Sequence, residues 1–479
     1  MKMSRLGVVS IAILSLTQSA SATLQTDKVT LKGNMVVEYN KLPTESGMFY
    51  GRLRTNAFYW DWDKEIDGKQ KDNKAVGVGG SFIYKSASAN GFSVTAGLYT
   101  SQSPWFWKMD KEDVKYLKAG KDTLSRDEIK NGGTYDGSHG MTVFAQGYLQ
   151  YDFSKTTLKV GRQLVENVFA KSNDTKMIPN SFDGVTLYSK EFSKTTLELA
   201  YLVKQKLRDH IQSHDVLAYD PSNPWAENDD SAVNKNLTVD RIGKNNRLMI
   251  ASITNKSIKN LKLNMSYLSV PNVVDEVSAE AYYTIPMYGF KVVPGVRYMQ
   301  QFDKLHAYYN VANLKANHVG YSDPTNLDSN ILALRLDIKT KAFLARFGYS
   351  KVADKADIIS PWRGVPTGGF TRAMGQYNWY ANTKTYMFRV GYDFGKAKIL
   401  DGFSIMARYA IQDFDDKKDG VQADSDVIHI DIRQNIGKNL EAKIRLGFVD
   451  ADDTTRKSDG SFKTDVSYNE YRFELNYFF

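Results

Sequence analysis

From residue 46 to the C-terminus, apolar and polar side chains alternate with a period of two in stretches of about ten residues. In "YRFELNYFF" (471–479), the apolar side chains share one face of an extended strand, while Arg472 and Glu474 lie on the other. The pattern predicts eighteen strands, at 46–60, 74–87, 90–100, 141–153, 156–165, 182–191, 194–206, 246–257, 260–269, 275–284, 288–300, 328–340, 342–352, 383–394, 401–412, 426–436, 438–450 and 465–479.

The connections between these strands alternate between short turns and long polar loops. The short turns include 86–91, 154–156, 256–260, 286–289, 340–341 and 437–439, and the long loops are 101–140, 207–245, 301–327 and 353–382. A β-sandwich gives no reason for this alternation, whereas an outer-membrane barrel has short periplasmic turns and long extracellular loops. We therefore expect an all-β fold, a transmembrane antiparallel β-barrel of about 18 strands with both termini on the periplasmic side.

Each predicted strand has one face that hydrocarbon can cover and one that it cannot. In "YMFRVGYDF" (386–394), aromatic and aliphatic side chains alternate with Arg389 and Asp393. In "LEAKIRLGF" (440–448), they alternate with Lys443 and Arg445. Because an Arg or Lys on the lipid face costs about 2–4 kcal/mol at the bilayer midplane, the charged faces are expected to line a water-filled interior.

The number of residues between each inward arginine and the short turn of its strand gives its position along the barrel axis. One set lies near mid-height on predicted strands 12 to 18 and continues onto strand 1 across the closure: Arg52, Arg54, Arg335, Arg346, Arg389, Arg408, Arg433, Arg445 and Arg472. Such a row can pass an anionic group from one guanidinium to the next, since each offers donors that match carboxylate oxygens. Arg297 also faces the interior, but its strand precedes predicted strands 12 to 18 of the row. Arg162 falls on the face of its strand that is expected to contact lipid.

A structural role for the same arginines is the alternative. Each inward arginine can pair with a neighbouring inward acid and brace the barrel wall, as ion-pair networks do in many proteins. The available acids are Asp337, Asp393, Asp431, Glu441 and Glu474. For each single arginine, the sequence is compatible with both interpretations, a solute contact and a wall-bracing ion pair. The placement of the whole set on one side of the barrel favours a solute pathway.

The N-terminal segment and the composition limit the cellular compartment. "MKMSRLGVVSIAILSLTQSASA" has a basic front, a short apolar stretch and small residues at its end, so residues 1–22 are expected to be a signal peptide. Residues 23–45 would be a periplasmic lead-in, although they are strand-like enough to form an edge. The formal charge of +9 invites a nucleic-acid partner, but an exported chain argues against one. The absence of cysteine excludes disulfides and thiolate metal sites.

Two longer blocks resemble the OprD-type porin family of substrate-specific outer-membrane channels. They are "TLKVGRQLVENVFAKSNDTKMIPNSFDGVTLYSKEF" (157–192) and "FTRAMGQYNWYANTKTYMFRVGYDF" (370–394). The likeness extends more loosely to "GMFYGRLRTNAFYWDW" (47–62) and to the C-terminal strand. The resemblance implies an 18-stranded channel that is narrowed by inward-folded loops and takes up small, often carboxylate-bearing molecules.

The resemblance also implies which loop residues narrow the channel. The constriction loops would be 166–181 and 353–382, placed inside a barrel of residues 46–479. The matching positions are Asn173, Asp174, Met177, Pro179, Asn180, Ser181, Arg363, Thr371 and Arg372. Lys171 and Lys176 depart from the electronegative first loop that the family resemblance implies.

No residue pattern indicates catalysis or a bound cofactor. The sequence has six histidines but no nucleophile elbow, phosphate loop or metal-ligand spacing. His429 is expected to be a hydrogen-bonded wall residue, and the acidic loops 413–420 and 450–460 lack calcium-loop spacing.

The sequence therefore predicts a porin in the outer membrane of a Gram-negative bacterium, for passive diffusion of small hydrophilic solutes such as amino acids or organic acids. The alternative is a structural or adhesive surface protein with binding loops. Expected partners are membrane lipid, lipopolysaccharide and, through Phe479, the barrel-assembly machinery; the protein would be a monomer or homotrimer.

Overall fold

The computed structural model describes residues 47–66, 70–110, 113–117, 139–217, 234–243, 247–360, 364–375 and 377–479, together with the backbone of 31–32 and 35–36. The expected signal peptide and most of the expected lead-in lie outside the described residues. Leu31–Lys32 pairs with Met35–Val36 in a separate two-stranded sheet, so this part of the lead-in is not an edge of the main sheet.

Eighteen antiparallel strands form one closed barrel. They are β1 (Met48–Trp62), β2 (Asn73–Lys85), β3 (Phe92–Gln102), β4 (Gly140–Phe153), β5 (Thr156–Gln163), β6 (Ser181–Ser189), β7 (Thr195–Lys206), β8 (Leu248–Asn255), β9 (Leu261–Val270), β10 (Val274–Tyr283), β11 (Lys291–Asp303), β12 (Ser329–Lys339), β13 (Phe343–Val352), β14 (Lys384–Asp393), β15 (Phe403–Asp413), β16 (Ser425–Ile436), β17 (Leu440–Ala451) and β18 (Tyr468–Phe478). The predicted fold class and strand number are confirmed.

Few other elements occur in the described residues. A two-residue strand, Ile285–Pro286, pairs with the start of β11. The helices α1 (Val114–Leu117) and α2 (Val239–Ile242) have four residues each. No helix in the described part of the chain is long and apolar enough to span a membrane.

The barrel closes where β18 pairs with β1. Beyond the last residue of β18, the backbone N–H of Gly51 donates to the carbonyl of Phe479 at 3.0 Å, and the N–H of Phe479 donates to the carbonyl of Gly51 at 3.2 Å. The terminal residue therefore belongs to the sheet. A closed sheet leaves no edge of unpaired peptide groups for lipid to meet.

The two faces of the wall have the predicted chemistry. Tyr386 and Phe388 on β14 are exposed on the outer surface, while Arg389 between Phe388 and Val390 points into the barrel. Arg162 lies on the outward face of β5, as its position in the alternation predicts. It forms an ion pair at 2.7 Å with Asp183, the residue directly opposite it on β6. The register between β6 and β7 shifts at this level, next to Asp183.

Loops fill much of the barrel interior. The segment between β5 and β6 and the segment between β13 and β14 pack against inward side chains of the wall and form a buried apolar core. Its members include Phe169, Phe182, Leu202, Leu248, Ile250, Leu268, Met299, Ile331, Ile358, Trp379 and Tyr380. Because these loops carry apolar residues whose exposure to water is unfavourable, they fold inward and narrow the interior of the barrel.

A close approach between β1 and β2 depends on glycine. Gly80 has φ of +144°, and a Cβ atom added there would lie 1.9 Å from the carbonyl oxygen of Arg52. We expect Gly80→Ala to destabilise the barrel by about 1–3 kcal/mol or more, since both the backbone angle and the contact become strained. The loss of heat-resistant folded protein on a gel would measure this.

Gly147→Ala is the matched control, because Gly147 also lies in a barrel strand but has nothing within 4 Å of an added Cβ. Equal thermal resistance of Gly80→Ala and Gly147→Ala barrels would contradict the expectation.

Candidate functional site

The barrel brings the central members of the arginine row together. Arg346, Arg389 and Arg408 lie directly opposite one another on β13, β14 and β15. Arg445 and Arg472 form a similar pair on β17 and β18. Directly opposed residues have Cβ atoms about 4.5–5.5 Å apart, so these guanidinium groups share one level of the wall.

Most arginines of the row are nevertheless paired with acids. Arg346 makes a two-pronged contact with Asp337, at 2.6 and 2.8 Å. Arg445 binds Asp431 in the same way, at 2.6 and 3.2 Å. Three further pairs are Arg433 with Glu441 at 3.2 Å, Arg335 with Asp337 at 3.9 Å, and Arg472 with Glu470. These contacts are the wall-bracing ion pairs that were the alternative interpretation.

Arg389 and Arg408 differ from their neighbours. Neither forms an ion pair with a residue that the structure describes, and the Nε atom of each lacks a hydrogen-bond partner there. Arg408 donates from Nη1 to the carbonyl of Arg372 at 2.7 Å. Both arginines are partly exposed. The positive charge of the row is therefore least compensated at these two positions.

The loop between β5 and β6 covers the other end of the row. Asp174 accepts hydrogen bonds from Arg52 and from Arg54, the latter at 2.9 Å, and Arg54 also binds Glu474 at 2.6 Å. Arg52 and Arg54 are each only 2% exposed. These two arginines were predicted to belong to a solute-accessible row, and the structure places them beneath the loop, paired with Asp174 and Glu474.

The other predicted residues of this loop have packing roles. Met177 is fully buried and packs beside Gly77 and Leu117. The Asn180 side chain donates to the carbonyl of Lys171 at 3.4 Å and accepts from the N–H of Arg208 at 2.7 Å.

Asn173, Ser181 and the departing residue Lys176 lie at the turn, at the C-terminal border and within the loop, respectively. Asn173 makes the turn, with φ of +47°. Ser181 belongs to β6 and not to the loop, contrary to the prediction. Lys176 extends over the rings of Phe58 and Trp60, with its ammonium 3.7 and 4.7 Å from their centroids.

The loop between β13 and β14 contacts the arginine row through its backbone. The carbonyl of Gly369 accepts hydrogen bonds from Arg335 at 2.9 Å and from Arg346 at 2.6 Å. Thr371 shares a hydrogen bond with Ser350 at 2.7 Å, and Arg372 supplies the carbonyl that Arg408 binds. Arg363 lies outside the described residues. Carbonyl contacts carry no side-chain signature, so the sequence offered no signal for the role of Gly369.

A buried carboxylate holds the same loop to a neighbouring one. Asp357 accepts hydrogen bonds from the Tyr321 hydroxyl at 2.6 Å, the N–H of Leu314 at 2.9 Å and the N–H of Ala381 at 2.8 Å. Its burial raises the pKa of this carboxyl to about 6, although the donors oppose the rise. This centre holds the 353–383 segment in position above the arginine row.

Two smaller predictions concern metals and His429. The His429 ring lies 3.1 Å from Asp431 through Nε2, as a wall residue would. Among the residues that the structure describes, no group of three or more His, Asp or Glu side chains is arranged to hold a metal ion.

Comparison with known proteins gives the family. Residues 141–478 match the family model described as "outer membrane porin, OprD family", which is more than half of the chain. The chain belongs to the OprD family of outer membrane porins. OprD porins are channels, so the family and the closed barrel together indicate a channel of a Gram-negative outer membrane. The sequence has no significant match among curated proteins.

Solved structures with the same fold include three porins of low sequence identity. OccAB1 of Acinetobacter baumannii has a TM-score of 0.65 and 17% identity over 90% of this chain and 96% of its own. OccAB4 of the same organism has 0.66 and 14% over 91% and 98%. OpdK of Pseudomonas aeruginosa, in a structure with vanillate, has 0.65 and 13% over 90% and 98%.

The Asp174 contacts lead to a test of the first constriction loop in this porin. We expect Asp174→Asn to increase current noise and mean conductance in planar bilayers, because the loop loses the charge that binds two buried arginines. The same change should increase anion preference, since one negative charge leaves the channel.

Asp416→Asn is the control, because it removes the same charge from an exposed residue of the 414–424 loop. If both variants conduct alike, Asp174 does not hold the constriction.

Proposed function

We propose that this porin mediates passive, selective diffusion of small hydrophilic anions, in particular carboxylate-bearing molecules such as amino acids or organic acids. The observation that carries the proposal is the uncompensated charge of Arg389 and Arg408 within a wall whose other arginines are paired. Guanidinium groups bind carboxylates through matched pairs of donors, so these two residues are the expected contacts for a solute.

The neighbouring ion pairs explain why the charge remains available. Asp337 is engaged by Arg346 on one side, and Asp431 is engaged by Arg445 on the other. Arg389 and Arg408 lie between these two pairs, and neither forms an ion pair with a residue that the structure describes. An anion that passes the constriction therefore meets two adjacent cations whose field the wall does not cancel. Binding at such a site is weak enough to release the solute when it is one of several successive sites.

Further cationic groups lie toward the periplasmic mouth. Arg433 lines a polar pocket there with Lys341, Lys396 and Lys398. Asp393 and Asp401 also line this pocket, Arg433 is paired with Glu441, and Lys396 is paired with Asp393. The positive charge that would draw an anion onward after it leaves Arg408 is therefore that of Lys341 and Lys398. The OpdK structure contains vanillate, a small carboxylate of the class that this proposal names.

The partners follow from the same function. We propose that Phe479 is recognised by the barrel-assembly machinery before its backbone closes the sheet, and that lipopolysaccharide contacts the basic groups of the extracellular loops. Passive diffusion requires no catalytic group or cofactor. The channel would work as a monomer or as one pore of a homotrimer.

Charge removal at the two arginines tests the proposal. We expect Arg389→Gln with Arg408→Gln to reduce the anion-to-cation permeability ratio by several-fold in reversal-potential measurements, because the attraction of the constriction for anions is lost. The flux of a small carboxylate into proteoliposomes should fall more than that of a neutral sugar of similar size.

The control is Lys304→Gln with Lys355→Gln, which removes two exposed positive charges from extracellular loops. An unchanged permeability ratio in the double arginine variant would exclude these residues as the selective site. The absence of any conductance by the unaltered protein would exclude the channel function itself.

A further inference from the structure

The short turns of the barrel are strongly basic. The structure describes all eight turns at the periplasmic end, and between the strand ends they contain nine lysines, all exposed: Lys155, Lys190, Lys194, Lys256, Lys259, Lys341, Lys396, Lys398 and Lys438. The only carboxylate side chains in these turns are Glu191 and Asp401. At the opposite end, the 414–424 loop carries four aspartates against two lysines. This loop of the opposite end therefore has no excess of lysine.

Five of these lysines lie on three neighbouring turns, which we call the lysine arc: Lys155, Lys190, Lys194, Lys256 and Lys259. Backbone hydrogen bonds join the turns, since the N–H of Lys190 donates to the carbonyl of Lys155 at 3.0 Å and that of Lys256 to the carbonyl of Lys194 at 2.9 Å. The arc spans β4 to β9. It is thus separated from the arginine row, which occupies β12 to β18 and β1, and the solute pathway does not account for it.

The arc holds five lysines and one acid, Glu191, so most of its positive charge has no ion-pair partner among the described residues. Lys155, Lys194, Lys256 and Lys259 form no ion pair with any described residue, whereas Lys190 lies over the ring of Tyr188 at 5.0 Å. Glu191 is the single acid of these turns, and it accepts hydrogen bonds from the N–H of Lys155 at 2.7 Å and from the hydroxyls of Ser154 and Thr156, each at 3.0 Å. Its carboxylate therefore stabilises the turn backbone.

Apolar side chains accompany these lysines. Phe192 is 69% exposed and Ile258 is 57% exposed, each between two lysines of its own turn. Directly above, Val160, Leu199 and Ile253 are exposed on the outer wall and form the start of the lipid-facing surface. Lysines with aromatic and aliphatic neighbours at this height are typical of residues at the level of lipid head groups.

We propose that the lysine arc binds the phosphate head groups of anionic phospholipids in the periplasmic leaflet of the membrane. The ammonium groups would contact the phosphates, while Phe192 and Ile258 enter the boundary between head groups and acyl chains. A soluble polyanion would use the lysines but would leave both apolar side chains in water. The position of the arc at the edge of the apolar wall therefore favours a lipid.

The test compares two variants of the full-length protein with the unaltered one. The arc variant replaces four lysines by glutamine: Lys155, Lys194, Lys256 and Lys259. The control variant replaces four exposed lysines of the extracellular loops by glutamine: Lys71, Lys304, Lys355 and Lys417. Native mass spectrometry then measures lipid adducts from detergent micelles that contain equal amounts of phosphatidylglycerol and phosphatidylethanolamine.

We expect the unaltered and control proteins to retain phosphatidylglycerol over phosphatidylethanolamine by about threefold or more, and the arc variant to lose this preference. The preference of the unaltered protein should also disappear at about 0.5 M salt, where charges at this distance are screened. The salt measurement keeps the proposal testable if the arc variant does not fold.

Three results would overturn the proposal. The first is an equal lipid preference in the arc variant and the unaltered protein. The second is a preference that survives high salt. The third is lysine-dependent co-sedimentation with purified peptidoglycan without any lipid preference, which would assign the arc to that polymer instead. The anion selectivity of the arc variant should remain unchanged, so failure here is distinguishable from failure of the proposed channel function.

Discussion

Hydrocarbon provides no hydrogen-bond partner for a peptide group, and every feature of this barrel depends on that constraint. The chain satisfies it by pairing each strand with two neighbours and by pairing its last strand with its first. The terminal Phe479 takes part through its backbone contacts with Gly51, so no edge remains. Glycine at position 80 permits the close approach of β1 and β2 near the same seam.

Closure also creates the interior in which the charges interact. Once the lipid face of each strand is apolar, the arginines and acids of the other face must share one lumen. In this lumen, an arginine is ion-paired only if a carboxylate lies close enough to contact it. Asp337 and Asp431 pair with Arg346 and Arg445, and the loop residue Asp174 together with Glu474 pairs with Arg52 and Arg54. The proposed selectivity rests on the arginines with which none of these acids forms an ion pair.

The same division of charge extends to the outside of the molecule. Four lysines of the lysine arc form no ion pair with a described residue, whereas Lys418 of a long loop binds Asp354 of another at 2.6 Å. The Lys418 contact therefore joins two neighbouring long loops. The ammonium groups of the lysine arc are exposed at the rim of the barrel.

The sequence alone determined the eighteen strands, the side of the wall that each residue faces and the strands that carry the arginine row, because alternation and turn length are local properties of the chain. Only the tertiary structure decided which arginines stay unpaired. Asp174 lies 120 residues from Arg54 in sequence, but its carboxylate is 2.9 Å from the guanidinium of Arg54. The contacts of Gly369 are made by its backbone carbonyl, so the residue type does not predict them. Ion pairing and loop packing depend on distances across the lumen, and these exist only after the barrel has closed.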